Sequence, residues 1–186
     1  MFSIYEEMDK AMNIKQFLAL SNLEKNISFK EESSKDKEFL LSLYASTREE
    51  ELSYTTMSQI EKKIFINMQF DLKQSYYKKN YKDAEFLILK RKKQDIGRIV
   101  VDEREDHIHL VDIAIIKKMR SKGLGSFILK QLIENTNSKN KLFTLSVSLD
   151  NYKAISLYKK LGLHIVKTQN HYHQMQTSIK EVIDRE

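Results

Sequence analysis

The segment Ile113 to Ser126, reading IAIIKKMRSKGLGS, constrains the fold more than any other part of this 186-residue chain. An apolar stretch of strand character runs into a glycine-punctuated loop. The loop then delivers into a helix whose first turn is Gly123, Leu124, Gly125 and Ser126. The N–H groups at a helix start lack intrahelical acceptors, and glycines without side chains let a ligand approach that backbone closely. Lys117, Lys118, Arg120 and Lys122 add positive charge, so the pattern predicts an anion site suited to a phosphate or pyrophosphate. The dinucleotide pattern GxGxxG and the P-loop GxxxxGK[ST] both fail, because no third glycine and no Gly-Lys-Ser/Thr follow Gly123 and Gly125. What fits is RxxGxG, from Arg120 to Gly125; its plainer reading is a basic turn before a glycine-rich helix start.

The next segment narrows the choice. From Leu142 to Leu149, Phe143, Leu145, Val147 and Leu149 alternate with Thr144, Ser146 and Ser148, the period of a strand with one face buried. The run ends at Asp150 and Asn151. NYKAISLYKKLGL then reads as an amphipathic helix with Ala154, Leu157, Tyr158 and Leu161 on one face, stopped by Gly162. With strand, RSKGLGS loop, helix, strand and N..A..LYKKLG in this order and spacing, the chain resembles the GNAT family of acyl-CoA-dependent N-acetyltransferases. The resemblance covers roughly Ile27 to Met175 and is strongest from Leu110 to Val166. YASTREEEL, Tyr44 to Leu52, also resembles one bacterial subgroup of the family.

The resemblance implies an α+β, single-domain GNAT fold: a mixed, mostly antiparallel sheet of about seven strands flanked by about four helices. It implies acetyl-CoA as cosubstrate and no metal. The pantetheine arm would pair with the strand backbone at Ile113, Ala114 and Ile115, where the neighbouring strand splays away. The pyrophosphate would sit on Ser121, Lys122, Gly123, Leu124, Gly125 and Ser126, in the motif opened by Arg120. Asn151 matches the asparagine heading the next helix, near the pantetheine. Tyr158 matches a tyrosine that acts as general acid toward the sulfur; an ordinary phenol, with a pKa near 10, is protonated at neutral pH. Its other reading is a core tyrosine beside Leu157 and Leu161. His109 stands at the position where certain members carry a basic catalyst, and imidazole titrates near neutrality; a structural strand histidine is the alternative. Asp112, on the same strand and next to an expected bulge, is a second candidate for that role, or else an anchor for backbone or substrate.

The rest of the chain is compatible with this reading. Its length suffices for one domain with a sizeable core. It has no cysteine, which excludes disulfides, a thiolate nucleophile and a Cys-based zinc site. No apolar run approaches the roughly 20 residues of a membrane span, and Glu6, Glu7 and Asp9 stand where a signal peptide would be basic and then apolar, so a cytoplasmic protein without membrane association is expected. The net charge of +6, from 32 basic and 26 acidic side chains, is spread along the chain, which reads as a solvated surface rather than a nucleic-acid interface.

Three parts are expected: an N-terminal helical extension over 1–26 (Ile14, Phe17, Leu18, Leu20), the acetyltransferase domain over 27–178, and a polar tail over 179–186. A strand begins at Ile27. Ser33 with Asp36 opens a helix carrying Phe39, Leu40, Leu43 and Tyr44. Thr56 with Gln59 repeats the arrangement before a long helix, whose stripe of Met57, Ile60, Ile64, Met68, Leu72 and Tyr76 is expected in the core. Glu85 to Leu89, Ile96 to Val101 and His107 to Ile116 read as a β-meander. Arg48, Glu49, Glu50, Glu51 and Tyr54 mark the region expected to meet the acceptor. The function implied is transfer of acetyl from acetyl-CoA to a primary amine of a small molecule or protein, by a monomer or homodimer. A tRNA-directed acetylating toxin of the same fold and a non-catalytic acyl-CoA-binding module are the alternatives.

Overall fold

A computed structural model describes Ile14, Gln16 and residues 26–178. The strands are β1 (Ile27–Glu31), β2 (Glu85–Arg91), β3 (Gln94–Glu103), β4 (His107–Ile115), β5 (Leu142–Ser148), β6 (His164–Gln169) and β7 (Tyr172–Gln176). The helices are α1 (Lys37–Ser53), α2 (Gln59–Asn80), α3 (Leu124–Ser138) and α4 (Tyr152–Lys160). Among the described residues, one sheet of order β1-β2-β3-β4-β5-β7-β6 joins the seven strands, and its one parallel pair is β4 with β5. This is the mixed, mostly antiparallel α+β architecture expected from the sequence.

Local chemistry sets the helix ends. Ser33 and Asp36 form a reciprocal capping box before α1, by way of a 3-10 turn over Ser34–Asp36. The cap of α2 is Ser58 with Glu61, two residues beyond the Thr56 and Gln59 expected; the Glu61 carboxylate takes both the Ser58 amide and hydroxyl. Gly162, at φ 90°, closes α4, and Leu163 N–H donates to Tyr158 O at 3.0 Å.

The sheet separates two cores. Leu87 and Leu89 of β2 face one way, joining Ile99, Val101, Ile108, Phe143, Ile128 and Leu132 in the main cluster, while Ile88 between them packs on Leu40 and Phe70 of α1 and α2. Each such side chain contributes roughly 1.5–3 kcal/mol on burial. Ile14, helical and buried, belongs to the main cluster. Phe17, Leu18, Leu20 and residues 179–186 lie outside the described residues.

One expectation fails here. Ile60, Ile64, Met68, Leu72 and Tyr76 are 73, 64, 51, 59 and 57% exposed, and α2 turns Ile66 and Phe70 inward instead. The helix has two apolar stripes on opposite faces, and periodicity alone does not say which one meets the sheet. No helix among the described residues is long and apolar enough to cross a membrane.

Candidate functional site

The site begins with a defect in β4. Val100 of β3 pairs with Asp112 and Val101 pairs with Leu110, which leaves Val111 as an extra residue. Such a bulge bends its strand and re-aims the side chains beyond it. On its other edge, β4 pairs with β5 only from His107 to Leu110, against Leu142 to Leu145. From Val111 to Ile115 the two strands have parted. Open backbone groups on a central strand are costly unless another group takes them, so the gap suits an extended chain carrying amides and carbonyls.

Immediately beyond the gap, a 3-10 turn over Lys117–Met119 leads to Ser121 and Gly123, both at positive φ (57° and 76°), and Gly123 caps α3. The Phe127 amide, donating 2.9 Å to Gly123 O, makes the first helical bond; the amides of Leu124, Gly125 and Ser126 have no acceptor within the helix. The two glycines keep this end bare. A Cβ at Gly123 would meet nothing within 4 Å, and one at Gly125 would meet only Ile115 Cδ1, at 3.6 Å. The polar backbone from Ile113 to Ile115 thus leads directly to the free amides at Leu124 to Ser126.

Arg120 has a different engagement. Its Nε donates to Ile115 O at 2.7 Å, and its two terminal nitrogens donate to Ser46 O and Oγ at 3.1 and 2.7 Å. Lys117 adds a second, exposed tie to α1, 2.9 Å from Glu49. Asn151 is the α4 N-cap, accepting from Ala154 N–H at 3.2 Å. In the acidic run, Arg48 binds both Glu51 oxygens at 2.7 Å and the Tyr44 hydroxyl at 2.9 Å, so Glu51 is already neutralised.

Tyr158 projects from α4 into the main core and is 8% exposed. Burial, and secondarily the negative charge of Asp112, push its pKa up to about 12, so it remains a proton donor at neutral pH. Asp112, 15% exposed, is held by Lys73 at 3.1 Å and Arg98 at 3.6 Å. Arg98 is itself buried, donating to Gln74 Oε1 at 2.9 Å with its Nε 2.8 Å from a Glu32 oxygen. The Tyr77 hydroxyl donates to Val111 O at 3.4 Å, and burial raises its pKa. Sequence reasoning singled out Asp112 but missed Lys73, Tyr77 and Arg98. The i, i+4 spacing of Lys73 and Tyr77, on the inward stripe of α2, was the available signal.

His109 lies in the stretch where β4 and β5 remain paired. Its Nδ1 is 2.9 Å from Thr144 Oγ1, and its ring stacks on Tyr81 with centroids 6.0 Å apart. Burial, with help from His107, lowers its pKa, leaving the imidazole neutral at pH 7 and able to accept a proton. It lines a cleft of about 270 Å³ with Thr144, Ser146 and Gln174.

Comparison with known proteins gives the family and the fold. A family model described as acetyltransferase (GNAT) family matches residues 49–163. A curated N-alpha-acetyltransferase from Sulfolobus acidocaldarius is 35% identical over 68 residues, 35% of this chain; the match spans 40% of that relative's length. Among solved structures, the PaiA N-acetyltransferase from Thermoplasma acidophilum in complex with coenzyme A superposes with a TM-score of 0.61 at 18% identity, over 82% of this chain and 98% of that one. PH1933 from Pyrococcus horikoshii superposes with a TM-score of 0.60 at 23% identity, over 81% and 97%.

Proposed function

Because this chain belongs to the acetyltransferase (GNAT) family, we propose that it transfers an acetyl group from acetyl-CoA to a primary amine of a small molecule or protein. The observation that carries this reading is the parting of β4 and β5 directly beside the glycine-bearing start of α3.

The backbone of Ile113, Ala114 and Ile115 holds the pantetheine arm, and the amides of Ser121, Lys122, Gly123, Leu124, Gly125 and Ser126 hold the pyrophosphate. Arg120 fixes the loop through Ile115 and Ser46. Asn151 sets the start of α4, and Tyr158 follows about two turns further on. When bound, acetyl-CoA supplies an acyl group activated as a thioester. A neutral amine is the nucleophile: a C–N bond forms, the C–S bond breaks, and the amine gives up a proton. Tyr158 returns a proton to the departing sulfur. His109, neutral at pH 7, removes the amine's proton, directly or through water in the adjoining cleft. The N-alpha-acetyltransferase named above supports an α-amine as one acceptor class.

The test is a panel of amines, comprising polyamines, amino acids, peptides with free N-termini and aminoacyl-tRNA, with release of free thiol followed continuously. The chain has no cysteine of its own to contribute a background. Acceptor-dependent thiol release with a small amine or peptide supports the reading. Release with aminoacyl-tRNA alone would transfer it to the nucleic-acid alternative, and tight acetyl-CoA binding without release on any acceptor would leave the binding module.

A further inference from the structure

The outward stripe of α2 calls for a partner. Ile60, Ile64, Met68, Leu72 and Tyr76 recur every four residues along one helix row, each at least half exposed. A single exposed leucine is ordinary, but five large apolar side chains in one ridge are not. Together they leave on the order of 600 Å² uncovered, near the roughly 800 Å² that each side contributes to a standard protein interface.

We propose that this ridge is the dimer interface of the protein, with α2 packed antiparallel on α2 of a second copy about a two-fold axis at Met68. The spacing is symmetric about that residue. With Met68 opposite its own copy, Ile64 meets the partner's Leu72, while Ile60 and Tyr76, about 80° to either side of Met68, flank the contact, so the ridge is complementary to itself, as an isologous interface requires. Rows of residues spaced by four are the ridges that helices pack into each other's grooves.

Charge selects the antiparallel arrangement. By helical geometry, Glu61 in the first turn of α2 and Lys79 in the last lie on the same face as the ridge. Antiparallel packing brings Glu61 within one turn of the partner's Lys79 at both ends and opposes the two helix dipoles, whereas parallel packing sets like charges together. Lys62 and Lys63 turn away from the ridge, into the groove between α1 and α2 with Glu38 and Glu49. A second copy fits better than the chain's own N-terminal segment, because Ile14 is buried on the opposite face of the sheet. The interface would also reach the site: the inward face of the same helix carries Lys73 and Tyr77, which hold Asp112 and Val111.

The experiment uses the full chain. Sedimentation over about 1–100 µM should give a dimer for the wild type and a monomer for Met68→Glu, with the circular dichroism melt little changed because Met68 already faces solvent. Lys79→Glu, which leaves the Ser58–Glu61 cap of α2 intact, should weaken the dimer at least 10-fold, and adding Glu61→Lys should restore it. In the cysteine-free background, Met68→Cys should form an intermolecular disulfide on mild oxidation and Glu105→Cys should not. A monomeric wild type, a dimer that survives Met68→Glu, or equal cross-linking at both cysteines would overturn the proposal. If Met68→Glu does not fold, the Met68→Cys and charge-swap results decide.

Discussion

Arg120 spans from Ile115 O, at 2.7 Å, to the hydroxyl of Ser46, also at 2.7 Å, and so joins the end of β4 to α1 across 74 positions of sequence. Helix α1 and the loop that carries the free amides are thereby one mechanical unit. Arg120→Ala leaves the Ile115 and Ser46 carbonyls without their donor, at a cost of about 1–3 kcal/mol in stability. It should raise KM for acetyl-CoA more than it lowers kcat. Arg120→Lys should recover little, since one ammonium does not reproduce the fork. A variant with wild-type KM would show that the tie is dispensable.

Gly125 separates cofactor binding from folding. An added side chain there meets Ile115 Cδ1 at ordinary contact distance, and leaving glycine inside a helix gains up to about 1 kcal/mol. Gly125→Leu should therefore melt at or above the wild-type temperature while its affinity for acetyl-CoA falls at least 10-fold, by calorimetry. Unchanged affinity would mean that the pyrophosphate is held elsewhere.

Asp112→Asn removes the charge that Lys73 and Arg98 surround, at 3.1 and 3.6 Å. Leaving a buried Arg98 with less compensation should cost about 2–4 kcal/mol, read from the denaturant midpoint. The same change withdraws one of the two influences that raise the Tyr158 pKa, so a phenol titration followed in the ultraviolet should shift downward.

His109 gives stability a pH dependence of known sign. Its folded pKa is lowered by burial and by His107, so below the unfolded value of about 6.5 the unfolded chain binds more protons and stability falls. The loss should begin as pH drops through about 6.5 and continue to the lowered folded value. Melting temperatures of wild type and His109→Gln should converge over that window; a constant difference from pH 7.5 to 5 would contradict the assignment.

Much of this was legible in local sequence. The alternation from Leu142 to Leu149 and the glycines at 123, 125 and 162 each encode a local event, and each stands where the chain says it should. The exposed ridge of α2 was not legible, because Ile66 and Phe70 compete with it as a second apolar stripe, and only the docked sheet decides between them. The cluster around Asp112 was invisible for a related reason. Lys73 and Arg98 look like surface charges until α2 and β3 bring them against the bulge at Val111. Long-range pairing of polar groups has no periodicity to betray it.

The most direct measurement is single-turnover acetyl transfer by Tyr158→Phe on an acceptor found in the amine panel, with acetyl-CoA affinity and melting temperature determined on the same sample. The phenyl ring fills the same place in the core, and no hydrogen bond from the hydroxyl is needed for packing. The account predicts unchanged affinity, a melting temperature within a few degrees of wild type, and a rate reduced roughly 10- to 1000-fold, the usual worth of a general acid. Full turnover with a lowered melting temperature would contradict it, making Tyr158 a core residue and placing proton delivery to the sulfur with another group.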